Sequence, residues 1–497
     1  MTNFNPQSLS NVDQDRLRRY KENLDFYNGT QWTRTTKERQ LVFNYAKVAI
    51  DKVTSYLYQG FNFACDTLFA APSAGADSGE TGTTDREAGE IARRAEMVLR
   101  EVYEANNLGQ LDYETELDTA ILGDGCYKVL WDTKEKRVKI TAPDVTGIFA
   151  WWWGDDLSRV WRVASKYTLG QDEVRMAYGV KLTKKQVTIV EVWTQDSFEL
   201  YIDNALYEKK ANPYGFIPFV IFPNVRQPKQ FWGLSDIPPL MESQRELNRA
   251  LSQLSRILEL SGNPIAVLEN IESAEEIKVQ PGAVWTIPED AKAYLLDLLQ
   301  GGGVRLHVDF IDLVYRCLHD LSEAPRAVYG GIERELSGVA LEVEMHSLLQ
   351  KVNRKRAIRT SVYKRRNEMI IALIEKFTPG VIARNEALSR AERGNPAGRS
   401  VNKLIRHRIV WGAVLPQDRA RQAQNEQLLV QAGVHSRRRA MDELGIEDPD
   451  SEFERWMEER RRILKMNLEY RARSTRGVER ERAFIAETEQ ALPEITE

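Results

Sequence analysis

Apolar residues recur on one side of two long stretches near the middle of the chain. Leu240, Leu247, Leu251, Leu254 and Leu258 are spaced by 7, 4, 3 and 4 residues, and Val304, Val308, Ile311, Tyr315 and Leu318 by 4, 3, 4 and 3. Both series follow the period of an α-helix with one buried stripe. Glu242, Arg245, Asn248, Arg249, Gln253 and Arg256 fall elsewhere around the first helix, and Arg305, Asp309, Asp312, Arg316, Asp320 and Glu323 form a charged stripe beside the second. Gly262-Asn263-Pro264 stops the first helix, and Gly301-Gly302-Gly303 gives a flexible lead into the second. Helices of about 26 and about 20 residues would be ~39 Å and ~30 Å long.

Ahead of this pair, Asp15 to Tyr27 reads as a helix with Tyr20, Leu24 and Tyr27 on one face, stopped by Asn28-Gly29. Asn44 to Tyr58 reads as another, with Tyr45, Val48, Ala49, Lys52, Val53, Tyr56 and Leu57 on or beside one stripe. Ala70 to Thr84 is small and polar, buries too little apolar surface to offset the entropy of ordering, and is expected to be a mobile loop. Helices follow over Arg86 to Asn107 and Leu111 to Leu122, and Gly123-Asp124-Gly125 turns into a strand from Cys126 to Trp131. Alternating runs at Val160 to Tyr167, Val187 to Thr194, Phe198 to Ile202 and Ile217 to Phe222 predict an antiparallel sheet backed by helices. Successive side chains of a strand point to opposite faces, so at least one of Trp151, Trp152 and Trp153 should lie near the surface.

Beyond the pair, Pro325 to Ser337 contains Gly330-Gly331 and reads as a loop, with Ser337 as an N-cap for the helix beyond it. The helical pattern from Gly338 to about Phe377 is too long for one average globular helix, so a kink or break is expected. Its middle carries Arg354, Lys355, Arg356, Arg359, Lys364, Arg365 and Arg366. Such a run reads as a solvated face or an inter-subunit ion-pair strip, with phosphate contact as the alternative. Ile405 to Trp411 is a short strand; Pro416 onward is helical with breaks at Gly433 and Gly445, and the charged tail from Arg471 is expected to fray.

A chain of 497 residues has room for several domains and a large core without disulfides or metals. Charged residues make up 29% and the mean hydropathy is −0.47, with no apolar run long enough to span a membrane. The first residues show no signal-peptide core, so export by the usual route is not expected. Cys65, Cys126 and Cys317 form no CxxC pair, which fits a reducing compartment. A net charge of −4 gives no bulk attraction for nucleic acid. No nucleotide-binding loop, HExxH, GxSxG or EF-hand pattern occurs, the five histidines are scattered, and Glu342 with His346 is an ordinary one-turn contact. Neither an enzyme nor a cofactor is indicated.

The order of parts is more telling than any one motif: helix, small insert, helix, glycine-bearing loop, long basic helix, helical C-terminal region. With Tyr27-Asn28-Gly29, Gly123-Asp124-Gly125, Trp232-Gly233-Leu234-Ser235-Asp236-Ile237 and Ser337-Gly338-Val339-Ala340-Leu341-Glu342, the chain resembles the SPP1-like family of tailed-phage portal proteins. Leu415-Pro416-Gln417-Asp418, Ala432-Gly433-Val434-His435-Ser436 and Glu447-Asp448-Pro449 resemble that family's passage into its crown. The resemblance implies an α+β portal fold that forms a ring, with an α/β wing over 1–234 and stem helices over 235–259 and 304–324; the mobile loop 70–84 within that wing and the three tryptophans are departures it does not explain. It implies further a small α/β clip over 260–303, a tunnel loop over 325–337, a long tunnel helix with a returning strand over 338–415, and a helical crown with a charged tail over 416–497.

The function that the family implies is that of a dodecameric ring at one capsid vertex, assembled in the host cytoplasm, through which double-stranded DNA passes without sequence preference. The implied partners are the terminase large subunit, a head-completion or adaptor protein, and the major capsid and scaffolding proteins. Arg326, Tyr329, Gly330, Gly331, Arg334 and Glu335 of the tunnel loop are the candidates for facing DNA, and Arg305, Asp309, Asp312, Arg316 and Asp320 for lining the channel. The acidic insert offers Glu269, Glu272, Glu275, Glu276 and Lys278 for docking the motor. The rival readings are another head-to-tail connector or minor capsid protein and, more remotely, a metal-dependent nucleic-acid enzyme.

Overall fold

The computed structural model describes residues 4–32, 40–58, 61–67, 81–181, 183–262, 266–269, 290, 292–295, 303–330, 338–382, 405–414, 419–446 and 452–467. The chain divides into two compact units, Met1–Val414 and Leu415–Glu497.

The first unit opens with a helical turn at Pro6–Ser10 and helices α1 (Gln14–Tyr27) and α2 (Tyr45–Leu57). Asn44 caps α2 by accepting from the Lys47 amide at 3.2 Å, so the expected start is one residue off the observed one. After β1 (Phe61–Thr67) comes α3 (Thr81–Ala105), then α4 (Leu108–Leu122) and β2 (Asp124–Asp132). Residues 81–84 of the expected mobile loop are therefore helical. They make up the first turn, where amides need no intrahelical partner and weak helix formers cost least. The rest of that loop lies outside the described residues.

Next come β3 (Arg137–Thr141), β4 (Ile148–Trp153), β5 (Asp156–Gly170), α5 (Gln171–Tyr178), β6 (Gln186–Thr194), β7 (Ser197–Ile202), β8 (Ala205–Ala211) and β9 (Phe219–Pro223). All pairings are antiparallel, in a five-stranded sheet of order β4-β5-β6-β7-β8 and a three-stranded one of order β3-β2-β9. The sheet predicted as one is thus two, because β9 leaves the meander to pair with β2. Of the three tryptophans Trp153 is exposed, while Trp152 stacks on Phe231 at 4.7 Å and Trp151 meets Phe4 edge-on.

Two long helices, α6 (Pro238–Gly262) and α7 (Gly303–Ser322), pack together, and between them β10 (Ala266–Glu269) pairs antiparallel with β11 (Lys292–Leu295). A 3-10 turn at Arg326–Tyr329 comes after, then α8 (Gly338–Glu344) and α9 (His346–Phe377). The expected break in the long helical run falls at Met345, and β12 (Ile405–Trp411) returns to pair antiparallel with β1. Pro325 to Ser337 is not wholly loop, since 326–329 form that helical turn; 331–337 lie outside the described residues.

One core lies between α3, the three-stranded sheet, α9 and β12, with Leu99, Tyr127, Val129, Phe222, Tyr363 and Ile370. A second lies between the five-stranded sheet, α1 and α5, around Tyr20, Val163, Val174, Ile189 and Trp193. A third joins α1, α2 and α4 to the root of α6 through Phe26, Ala46, Ile50, Ile121, Ile237 and Leu240. The second unit holds α10 (Arg419–Gln431), α11 (Arg437–Glu443) and a helix over 452–467.

Candidate functional site

The root of α6 is assembled from two glycine-bearing stretches that are far apart in sequence, Gly123–Gly125 and Trp232–Ile237. Gly123 has φ +111°, and a Cβ there would meet the Ser235 amide nitrogen at 2.9 Å. A Cβ on Gly233 would meet the Gly123 carbonyl oxygen at 2.6 Å, so glycine at both positions is what lets the two backbones touch. Polar groups then lock the junction. Asp124 accepts from the Gly233 amide at 2.8 Å and from the Tyr20 hydroxyl at 2.5 Å, and Asn224 donates to the Leu234 carbonyl at 3.0 Å. The Ser235 hydroxyl donates to the Ile121 carbonyl at 2.6 Å and accepts from the Ile237 amide at 3.0 Å. Burial lifts the Asp124 carboxyl to about 6, against the lowering effect of its hydrogen bonds from Tyr20 and Gly233.

Helix α9 adds charge to the same junction. Lys351, Lys355, Arg359 and Arg366 lie on one face and are all buried. Lys355 bonds Asp236, with Lys351 3.5 Å from the same carboxylate. Burial would raise the Asp236 carboxyl, but the Lys355 and Lys351 ammonium groups outweigh it and hold it at about 2. Arg359 Nε meets both oxygens of Glu116 on α4 at 2.7 and 2.9 Å, and its Nη1 reaches the carbonyls of Pro223 and Asn224 at 2.8 and 3.1 Å. Arg366 grips Asp112 and lies against the rings of Tyr103, Tyr127 and Tyr363 at 5.0, 4.6 and 4.8 Å. Arg356 donates to the carbonyls of Leu57 and Gly412.

This corrects both readings of the basic run. Four of its seven cations, Lys355, Arg356, Arg359 and Arg366, are buried and bonded to groups within the chain, so they form neither a solvated strip nor a phosphate contact surface. Buried guanidinium groups persist because each has a carboxylate or several carbonyls in place.

The hairpin above this root also departs from the expected stripes. On α6 Leu240 and Leu247 are buried, but so are Gln244 and Asn248, while Leu258 is exposed. Gln244 accepts from the Ala46 amide at 3.0 Å and Asn248 from the Phe43 amide at 2.9 Å, tying α6 to the segment before α2. On α7 Val314, Leu318 and His319 are buried, whereas Leu306, Phe310, Leu313, Cys317 and Leu321 are exposed. Their spacing of 4, 3, 4 and 4 makes a second apolar stripe. It lies one residue, ~100° around the helix, from the charged series Arg305, Asp309, Asp312, Arg316 and Asp320. Val308, expected on the buried stripe, is exposed as well. A groove of about 450 Å³ runs between Trp32, the Glu242–Arg249 face of α6 and Leu313, Val314 and Cys317 of α7.

A family model for phage portal proteins, SPP1 Gp6-like, matches residues 7–466 of the 497. The chain belongs to that family. No curated protein matches it. Membership makes it a structural component of the portal vertex of a phage virion, and its mixed helix-and-sheet architecture agrees with an α+β portal. Among the described residues no helix is long and apolar enough to cross a membrane, and no group of three metal-ligating side chains occurs.

The structure locates some of the portal protein's expected site residues. Arg305, Asp309, Arg316 and Asp320 are exposed, and Arg316 pairs with Asp312. Tyr329 faces inward: its ring lies 4.7 Å from His319 and burial raises its hydroxyl to about 12. Arg326 lies 5.6 Å over the Tyr315 ring. Glu269 is exposed and accepts from the Tyr294 hydroxyl at 3.1 Å. Gly331, Arg334, Glu335, Glu272, Glu275, Glu276 and Lys278 lie outside the described residues. The junction at Gly123, Asn224, Gly233 and Asp236 was signalled by its glycines, but its buried charges carried no local sign.

Proposed function

We propose that copies of this portal protein close into a ring, dodecameric as in the family, whose α6/α7 hairpins form the wall of a channel for double-stranded DNA. The uncovered second stripe of α7 carries the reading. Leu306, Phe310, Leu313, Cys317 and Leu321 run along an exposed helix face, and a contiguous apolar face of that kind calls for a partner. A neighbouring copy is the occupant. The groove beside the stripe is walled by Glu242, Arg245, Glu246 and Arg249, a face of both signs that suits the mixed charges of another copy's α7. A contact between two different faces repeats around an axis and closes.

With the apolar stripe against a neighbour, the adjoining charged series faces the channel. Arg305 and Arg316 alternate there with Asp309, Asp312 and Asp320. Each neutralised phosphate adds affinity through counterion release, so a wall of mixed sign holds DNA weakly and lets it slide. The segment 260–303 serves as the clip that docks the terminase large subunit and later the head-completion protein. Residues 325–337 form the tunnel loop, the sheets and their helices the wing, and 416–497 the crown. The wing is the surface offered to capsid and scaffolding proteins.

Substituting Leu313→Arg tests the reading. Negative-stain microscopy and sedimentation are expected to show closed rings for the wild type, and folded but dispersed subunits for the variant. Undiminished rings of Leu313→Arg would remove the stripe from the interface, and a wild type that stays monomeric at every concentration would overturn the ring.

A further inference from the structure

The C-terminal end of α7 meets the turn after it through a continuous stack of rings. Tyr45 of α2 lies 5.0 Å from Tyr315, Tyr315 lies 4.4 Å from His319, and His319 lies 4.7 Å from Tyr329, with each pair edge to face. Such pairs contribute beyond the area they bury. Around the stack the backbone reverses sharply. Glu323 has φ +56°, a left-handed conformation that a glutamate adopts only when its surroundings hold it there. Those surroundings are visible: His319 Nδ1 lies 3.2 Å from the Ala324 carbonyl, Ser322 Oγ donates to the His319 carbonyl at 2.8 Å, and the Ala324 amide donates to Ser322 Oγ at 3.1 Å. Helix α9 clamps the reversal from outside, with Lys351 donating to the Ser322 carbonyl at 2.9 Å and Arg354 pairing with Glu323.

We propose that Tyr45, Tyr315, His319 and Tyr329 are positioning residues, acting as a latch that holds the turn Arg326–Tyr329 against α2 and thereby fixes the root of the tunnel loop. The inference rests on the reading of α7 as channel wall and 325–337 as tunnel loop. His319 is one of the two inner rings and joins Tyr315 to Tyr329: it is buried, and its Nε2 has no hydrogen-bond partner among the described residues. Its ring is therefore held by edge-to-face contacts with Tyr315 and Tyr329 and by one polar contact, from Nδ1 to the Ala324 carbonyl. Because Tyr45 belongs to α2 and Tyr329 to the turn, displacement of one is felt by the other through two intervening rings. Latched, the turn keeps its root off the DNA path; released, it is free to follow the DNA.

Hydrogen exchange reads the latch directly, since the Val328 and Gly330 amides donate to the Pro325 and Ala327 carbonyls at 3.0 and 3.2 Å within the turn. Tyr329→Leu is expected to speed exchange of these two amides at least tenfold, to leave rings closed by microscopy, and to alter DNA retention in packaging extracts. Tyr329→Phe keeps the plate and is expected to restore slow exchange and normal retention. Tyr45→Leu is expected to speed the same amides, and the double variant Tyr45→Leu with Tyr329→Leu to add little. Exchange unchanged in Tyr329→Leu, or Tyr45→Leu without effect on the turn, overturns the latch while the rings still stand. Faster exchange with unchanged DNA retention overturns its role in DNA passage. Loss of rings in the wild type would instead be a failure of the channel reading.

Discussion

Removing the Arg359 guanidinium should be among the most damaging single changes in the chain. Its side chain is 0% exposed and that of its partner Glu116 is 1% exposed. Arg359→Met keeps the volume and apolar stem but strands a buried carboxylate and withdraws donors from the Pro223 and Asn224 carbonyls. Breaking a buried pair from one side costs about 3–5 kcal/mol, because the remaining charge has no water to return to. With about 2.1 cal/mol/K of unfolding entropy per residue, a unit of some 400 residues would melt about 5 °C lower for a loss of about 4 kcal/mol. Arg365, six positions along the same helix, is exposed and, among the described residues, pairs with Glu368 one turn away. Arg365→Ala should cost under about 0.5 kcal/mol. Arg359→Met combined with Glu116→Leu should recover most of the loss, since two apolar groups replace two charges. Thermal unfolding followed by circular dichroism measures all four proteins. An Arg359→Met variant within about 1 kcal/mol of wild type, or one whose defect appears only as weaker DNA binding, would refute the structural role assigned to the buried cations.

Other outcomes rest on the same geometry. Asp236→Asn should destabilise by about 3 kcal/mol, because Lys355 is left buried without its carboxylate, and urea unfolding measures it. Gly123→Ala places a Cβ 2.9 Å from the Ser235 nitrogen at a φ unfavourable to alanine, so the melt should fall by several degrees, whereas Gly109→Ala, with open space around it, should not lower it. Burial, opposed by the Ala324 carbonyl and Asp320, and reinforced by Arg326, depresses the His319 pKa below 6.5. The folded state thus takes up its proton later than the unfolded one, so the latch is at full strength above about pH 6.5 and weakens as pH falls below it. Tyr315 and Tyr329 pack against the His319 ring, and Lys351, Glu323 and Arg354 are the ionisable groups paired beside the reversal. After correction for intrinsic rates, Val328 and Gly330 should exchange faster at pH 5.5 than at pH 7.5, and a flat profile would show that His319 is not the titrating plate.

Much of the architecture could be read from periodicity, and the failures have a common physical origin. Helices α1, α2, α6 and α7 announce themselves through apolar spacing and caps such as Asn44. The break at Met345 follows from length alone. The face of α9 that carries Lys351, Lys355, Arg359 and Arg366 could not be read this way. A cation looks solvated until its partner is known, and Asp112 and Glu116 lie 254 and 243 residues away from theirs. The same holds for Gln244 and Asn248 on α6, which point into the protein because unpaired amides and carbonyls around Phe43 and Ala46 await them. On α7 the first apolar series hides the second, because one buried stripe already accounts for a helix that packs on one neighbour. A helix with two such stripes and a charged one between its contacts is built for more than one neighbour.

The location of the buried charges gives the channel reading a mechanical content. A wall helix that DNA pulls on or presses against transmits load to its root, and at that root apolar packing alone would allow sliding, since dispersion contacts re-form after a small displacement. Directional bonds do not. Asp236, Ser235 and Asp124 fix the start of α6 to α4, β2 and α9 through ion pairs and hydrogen bonds whose geometry is lost within about an ångström of movement. Buried ion pairs are a poor way to add stability but a good way to select one arrangement over its neighbours. On the channel reading the hairpin itself, held by apolar stripes, would be free to adjust against adjacent copies as DNA passes. The proposed rigid root and compliant wall would then be encoded by different chemistries in one helix: buried polar anchors from Ser235 to Asn248 and apolar contacts beyond. It follows that anchoring substitutions such as Asp236→Asn and stripe substitutions such as Leu313→Arg should fail differently, the first by lowering the stability of the subunit and the second by leaving a subunit of unchanged stability that does not close a ring.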